Sequence, residues 1–302
     1  MNKKIVTFTM SLRQSQFEVD RLETEAKKLG VGVNRSLYRE LTFDLNNENP
    51  KVLVRGEELT PENTLGMWFR VAGTVSGKYT EGRNLLIRLL GDKIFCANHE
   101  GYLRWSRMGK IGQHGVFLEN QIPVVPTKIF YTKEQVLGEQ WQYPVIAKHE
   151  KGYQGKSVRK FESADQLEKF VDKINEKNVG MFLWQKYLPT RWDLRVIVLD
   201  GVAIGAMKRS AVGNEFRSNF SLGGAVERWE LSEGDKLLAE KVAKVCGLDY
   251  GGVDIMKDSA EQNAKSYVLE VNRQCQFQGF EKSTGINVAK AVVEMFLKKS
   301  GE

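Results

Sequence analysis

Gly251-Gly252-Val253-Asp254-Ile255 and, further on, Val268-Leu269-Glu270-Val271-Asn272 are the stretches whose reading decides the fold. Both are apolar strand patterns interrupted by acids. Side chains alternate along a strand, so Glu270 and Asn272 share one face, and pairing the two runs as a hairpin brings Asp254 beside them. Carboxylates set in apolar strands are costly unless paired or metal-bound. Two readings stay open on the residues alone. Asp254, Glu270 and Asn272 form a set of hard oxygen ligands for Mg²⁺ or Mn²⁺, left open to phosphate, or the carboxylates are bridged by Lys or Arg.

Around this hairpin the pattern is antiparallel. Leu194 to Leu199, a tight turn at Asp200-Gly201 and Val202 to Lys208 predict another hairpin, and a helix over Asp235 to Cys246 ends at Gly247. The last helix is expected from Asn287 to Lys298. Upstream, Pro144 to Lys148 and Ser157 to Phe161 read as strands around a glycine-containing loop. Ser163 to Gln166 opens a helix to Ile174, and Met181 to Trp184 is the next strand. The beginning reads as an α/β unit: strand Ile5 to Phe8, helix Phe17 to Leu29 closed by Gly30, strand Met67 to Val71 and helix Glu81 to Leu90 stopped by Gly91. A parallel sheet is expected there. The segment Trp105 to Glu119 is read as a helix, followed by a proline-marked turn at Ile122-Pro123 and Pro126, which puts a boundary near residue 105.

Two further constellations carry chemistry. Ala147-Lys148 ends a strand before Gly152-Tyr153-Gln154-Gly155, where glycines let backbone amides approach phosphate oxygens and the lysine adds a point charge. It is not a Walker loop, because no Gly-Lys-Ser/Thr precedes a helix. The bland alternative is a hairpin with a solvated lysine. Asp193-Leu194-Arg195, Met207-Lys208-Arg209 and Glu215-Phe216-Arg217-Ser218-Asn219 offer arginine forks and an amide for phosphate or carboxylate, against the alternative of plain surface charges.

The 302 residues, 41% hydrophobic and 27% charged, are those of an ordinary packed protein. No stretch approaches the roughly 20 apolar residues a bilayer span needs. Met1-Asn2-Lys3-Lys4 runs straight into a strand pattern without a signal-peptide region, so a cytoplasmic location is expected. The three cysteines are scattered and suggest neither disulfides nor zinc, and the three histidines lack ligand spacing. The net charge of +7 is interleaved along the chain, which makes nucleic-acid binding the weaker reading.

Taken together, these motifs resemble the ATP-grasp superfamily and, within it, the RimK-like ligases. The likeness runs from Gly109 to Ala289: Lys110 before a helix and Ile-Pro; Ala147-Lys148 with Gly152 and Gly155; Asp193-Leu-Arg195; Glu215-Phe-Arg-Ser-Asn219; Gly252-Val-Asp254-Ile; Leu269-Glu-Val-Asn272; and Gly279-Phe-Glu-Lys-Ser-Thr-Gly285. The N-terminal part matches loosely, at Phe69-Arg70-Val-Ala-Gly73. The resemblance implies an α/β (α+β) ATP-grasp fold with an N-terminal α/β pre-ATP-grasp domain over 1–104, a small central lid domain over 105–188 and a C-terminal antiparallel-sheet domain over 189–302. It implies that Lys110 and Lys148 contact ATP phosphates under a loop with Gly152 and Gly155, and that Gln185, Lys186 and Leu188 lie at the adenine hinge. Asp193 falls on the nucleotide side, Asp254, Glu270 and Asn272 on the metal, and Arg209 with Asn219 on the acyl-phosphate. The implied reaction is ATP-dependent joining of a carboxylate to an amine, the acceptor being a peptide or protein tail. A peptide cross-linking variant, and a basic nucleic-acid-binding protein on the same scaffold, are the alternatives. Relatives of this kind often form homo-oligomers, although no residue here marks an interface.

Two departures concern the substrate. Lys156-Ser157 stands where such ligases usually carry a further glycine, and Cys275-Gln276 replaces the familiar Pro-Gly after Asn272. Cys275 is read as a packed thiol, with a reactive one as the second reading. Trp184 and Trp192 are read as packing residues and Lys298-Lys299 as a solvated helix end. Arg70, Lys78, Arg83 and the run His99 to Arg104 are read as structural, with a carboxylate-holding role second.

Overall fold

The structure, a computed structural model, describes residues 3–11, 13, 16–46, 48–70, 77, 79–105, 107–152, 157–213, 225–259, 261 and 264–301. Gly155, Asn219, the rest of the run 215–218, Lys156, Lys78 and Val71 to Gly73 lie outside the described residues.

The elements run β1 (Lys4–Thr9), α1 (Gln16–Lys28), β2 (Gly32–Leu37), β3 (Leu41–Asp44), β4 (Lys51–Val54), β5 (Glu57–Glu58), β6 (Thr64–Phe69), α2 (Thr80–Leu90), β7 (Phe95–Cys96) and α3 (His99–Arg104). Then come α4 (Lys110–Glu119), β8 (Thr127–Lys128), α5 (Lys133–Leu137), β9 (Val145–His149), β10 (Val158–Phe161), α6 (Ala164–Lys173) and β11 (Phe182–Lys186). The remainder is β12 (Trp192–Leu199), β13 (Val202–Ser210), β14 (Ala225–Trp229), α7 (Glu233–Val245), β15 (Tyr250–Lys257), β16 (Ser266–Asn272), α8 (Gln278–Thr284) and α9 (Val288–Ser300).

The first sheet, ordered β2-β1-β6-β7, is parallel as expected. Its central strands are buried on both faces, which is why β6 reads as a continuous run. Val6, Phe8, Met67 and Phe69 face α2 and α3, with Leu86, Ile87 and Tyr102. Ile5 and Trp68 face the opposite way, towards Leu22 of α1 and Val292 and Phe296 of α9. The same cluster takes in Ile197 of β12, Phe277 and Phe280, so the beginning and end of the chain share one core. Gly66 makes the contact possible, because a Cβ there would lie 2.5 Å from Phe296 Cδ1. Asn98 latches the same junction, its Oδ1 accepting from the amides of Asp249 and Tyr250 at 2.7 and 2.8 Å.

The second sheet is antiparallel, ordered β10-β9-β11-β8, and packs Val145, Phe161 and Trp184 against Leu167 and Val171 of α6. Ser163 caps α6 by accepting from the Gln166 amide. The third, ordered β14-β13-β12-β15-β16, is antiparallel throughout. Asp200 and Gly201, both left-handed with φ of 47° and 80°, make its two-residue turn. One face of this sheet, with Leu194, Val196, Val198, Val253, Ile255 and Val271, packs on Ala239, Val242 and Ala243 of α7 and on Val116 and Phe117 of α4. The alternate residues form the opposite face, where Ile197 and Met207 join the core shared with α9 and the charged residues lie beside them.

One expectation is corrected. The helix expected from Trp105 begins only at Lys110, because Trp105 ends α3 and Gly109 is extended, where any Cβ would collide with Glu150. The antiparallel β3-β4-β5 sheet was not expected; its strands are too short for periodicity to mark, and its turn uses Arg55 at φ 52° beside Gly56. Lys298 and Lys299 are solvated, with side chains 72% and 36% exposed, and both also pair with Asp200. Among the described residues no helix is long and apolar enough to cross a membrane.

Candidate active site

That opposite face of the third sheet carries the charged residues in rows. Register places Arg195 beside Asp254 and Asp254 beside Glu270, while Asp193 is opposite Arg209 and Asn272 opposite Gly252. Because side chains two apart on a strand share a face, Asp193, Arg195, Arg209, Asp254, Glu270 and Asn272 come together. Alternation with Leu194, Val196, Val253, Ile255 and Val271 is therefore the local rule that builds both the core and the site.

Asp254 is held by a bidentate pair, Arg195 Nε to Oδ1 at 2.8 Å and Nη2 to Oδ2 at 2.7 Å. Arg209 bridges two acids, donating from Nε to Asp193 and lying with Nη2 3.0 Å from Asp254 Oδ2. Desolvation pushes the Asp254 carboxyl up, but Arg195 and Arg209 outweigh it and hold the group below the ordinary aspartate range. Of the two sequence readings of this hairpin, the bridged one is seen directly, since arginines hold Asp254, and Glu270 and Asn272 share its face. Glu270 is held loosely, 3.2 Å from Asn272 Nδ2 and 3.5 Å from Lys110 Nζ, with 29% of its side chain exposed. A carboxylate has about four acceptor positions, and Asp254 uses three, which leaves one on Oδ1. Two carboxylates and an amide are a hard donor set that fits Mg²⁺, which takes few protein ligands. Among the described residues no group of three His, Cys, Asp or Glu is placed to hold a metal ion by itself.

Lys110 starts α4, where its Nζ donates to the Gly152 carbonyl. The helix is fixed by Gln113, which exchanges hydrogen bonds with the Val271 backbone at 2.8 and 3.1 Å, and by Glu150, whose Oε2 accepts from the Ile111 amide at 2.7 Å. Glu150 and Gln113 were missed from sequence, since their partners are far along the chain. Lys148, at the end of β9, is pushed down to about 8 by desolvation and by Lys110, against the pull of Glu270, Asp193 and Asp254. Near the end of β11, Gln185 is buried and donates to Thr127 Oγ1 at 2.8 Å, with His114 Nε2 3.2 Å away. Lys186, exposed, ends β11, and Leu188, buried, lies between β11 and β12.

Cys275 is 2% exposed; its thiol donates to Tyr250 Oη at 3.0 Å, which in turn donates to the Cys275 carbonyl. Burial pushes this thiol up, so the packed reading holds and the reactive one does not. Trp184 sits in an aromatic cluster and Trp192 packs on Trp229, ring centroids 5.3 Å apart.

The family described as the RimK-like ATP-grasp domain matches residues 108–296. The "Probable alpha-L-glutamate ligase 2" of Pseudoalteromonas atlantica is 32% identical over 304 residues, 96% of this chain and 95% of its own. The "Probable alpha-L-glutamate ligase" of Shewanella pealeana is 34% identical over 160 residues, which cover 52% of this chain and 34% of that one. The chain thus spans about a third of the length of the Shewanella relatives it matches. Among solved structures, the ATP-grasp ligase PsnB complexed with a phosphomimetic variant of a minimal precursor, Mg and ADP superposes with a TM-score of 0.76, at 19% identity over 99% of each chain. The macrocyclase MdnC of Microcystis aeruginosa, bound with precursor peptide MdnA, gives 0.65 at 15% identity over 98% and 99%. These two likenesses show the fold, which is that of the ATP-grasp ligases.

Proposed function

Because this chain belongs to the RimK-like ATP-grasp family, we propose that it is an ATP-dependent ligase that activates a carboxylate as an acyl-phosphate and joins it to an amine. The observation that carries the reading is the row of Arg195, Asp254 and Glu270 with Asn272, with Lys110 paired to Glu270 and Lys148 within reach of the same charges. The names of the relatives make L-glutamate the first amine to test, with a peptide or protein tail as the carboxylate. A cytoplasmic location and the division at residues 104 and 188 are parts of the same proposal.

In this reading Lys110 and Lys148 hold the phosphates of ATP under the loop containing Gly152 and Gly155. Gln185, Lys186 and Leu188 flank the adenine, and Asp193 lies on the nucleotide side. Asp254, Glu270 and Asn272 would hold Mg²⁺, or Mn²⁺, which when bound neutralises charge on the phosphoryl oxygens. A substrate carboxylate oxygen bonds to the γ-phosphorus as ADP leaves. The amine nitrogen then bonds to the carbonyl carbon, phosphate departs and the amine proton passes to solvent. Arg209, with Asn219, orients the acyl-phosphate, and the contribution of the chain is positioning and charge.

The test is ADP release with hydroxylamine, which captures an acyl-phosphate as a hydroxamate, against pools of peptides with L-glutamate as the competing amine. ATP-dependent hydroxamate that falls when L-glutamate is added is the expected result. Nucleotide binding without ADP from any pool would overturn the reading.

Lys148 gives a second expectation. The triphosphate adds negative charge beside an ammonium already held at about 8, so its pKa rises on binding and a proton is taken up above that pH. Calorimetric titration of Mg·ATP at about pH 8.5 in two buffers of different ionisation enthalpy should reveal proton uptake that disappears in Lys148→Met. Equal apparent enthalpies in the two buffers would place Lys148 away from the phosphates.

A further inference from the structure

Beyond the end of β6 lies a set of cations that the chemistry above does not use. Arg70 is completely buried, and its Nε and Nη1 have no hydrogen-bond partner. Its Nη2 reaches the carbonyls of Gln274 and Cys275 at 3.3 and 3.2 Å and lies 3.9 Å from Glu18, itself buried. Its guanidinium stacks 4.6 Å from the Trp68 ring centroid. Nearby, Tyr102 receives two more guanidinium groups, Arg83 at 3.8 Å and Arg273 at 4.7 Å from its centroid. Gln274 joins the two groups, its Nε2 donating to the Arg70 carbonyl at 2.8 Å and to Tyr102 Oη at 3.0 Å. Among the described residues Arg273 makes no ion pair, and Glu18 is the one acid paired with Arg70.

Buried guanidinium nitrogens are ordinarily satisfied, as those of Arg83 are towards Asn84 Oδ1 and Arg273 Nη1 is towards the carbonyls of Gly101 and Trp105, so the two open donors of Arg70 are complementary to a planar anion. The cluster also borders the reacting groups. Cys275, whose carbonyl Arg70 binds, lies against Gly252, where a Cβ would be 3.1 Å from its Sγ, and Gly252 is two residues before Asp254 on β15. This is the stretch where Cys275-Gln276 departs from the family's turn.

We propose that Arg70, backed by Arg83 and Arg273 around Tyr102, is a carboxylate subsite that binds a carboxylate of the amine substrate and so selects an acidic amino acid. The proposal rests on the ligase reading and adds to it the residues that choose the amine. Gln274 is a positioning residue that fixes Arg70 against Tyr102.

The experiment titrates the full chain, saturated with Mg²⁺ and a non-hydrolysable ATP analogue, with L-glutamate and with butylamine as a carboxylate-free amine. Wild type should bind L-glutamate and not butylamine. Arg70→Lys, which keeps the charge but loses the fork, should weaken L-glutamate by about tenfold or more, and Arg70→Met further, with nucleotide affinity unchanged. In turnover, KM for L-glutamate should rise while kcat is nearly kept in Arg70→Lys. Unchanged L-glutamate affinity in a nucleotide-binding Arg70→Lys overturns the subsite, as does equal binding of butylamine by wild type, a comparison that needs no variant to fold. The two proposals fail separately. L-glutamate binding lost in Arg70→Lys without ADP release from any pool keeps the subsite and removes the ligase reading, while ADP release with an Arg70-independent KM does the reverse.

Discussion

Glu270→Ala is expected to lower ATP-dependent hydroxamate formation by about 10³-fold or more, since a metal-held charge is worth several kcal/mol in the transition state. The side chain is the exposed and loosely held member of the oxygen set, so its loss should leave the fold intact. Urea unfolding of the variant should therefore match wild type, while raising Mg²⁺ should recover part of the rate. Wild-type turnover in Glu270→Ala would remove the residue from the metal.

Arg209→Ala is expected to act on stability as well as on rate. Arg209, Asp193 and Asp254 all have side chains no more than 5% exposed, and Arg209 touches both acids. Removing one member of a buried ionic network leaves charge without its counter-ion and costs about 3–5 kcal/mol. Urea denaturation at neutral pH should show that loss, and a change below about 1 kcal/mol would indicate that water reaches the acids. The acid side gives an independent check. Asp254 is held below its ordinary value of 3.8, so its contribution is complete above that pH and is lost as pH falls through the lower folded value. Without Arg209 that carboxyl rises towards its ordinary value, so the acid-dependent loss of stability should be smaller and be complete at higher pH.

Much of this site was legible because it obeys a short-range rule. Asp254, Glu270 and Asn272 stand at alternate positions among valines and isoleucines, and that spacing is enough to predict one shared face. The parallel character of the first sheet was equally plain from strands and helices in alternation. What stayed hidden depends on partners distant in sequence. Arg195 closes on Asp254 and Glu150 on the α4 amide from 59 and 39 residues away, and neither leaves a local trace. The late start of α4 has the same origin, since Gly109 is extended to admit Glu150. Arg70 was read first as structural, because a lone arginine beside a strand says nothing of its burial. Gly155 and Asn219 keep the roles that the family likeness implies for them, as proposals.

The contact between α9 and the first sheet sets an order of events during synthesis. Strands β1 and β6 leave the ribosome early, yet one of their two faces is completed by Val292 and Phe296, near the other end of the chain. Until those residues emerge, that face must stay wet or be shielded by a chaperone, and a nascent chain stalled after β16 would display it. The charged face of the third sheet, whose strands are made before α9, therefore adjoins a core that α9 completes late.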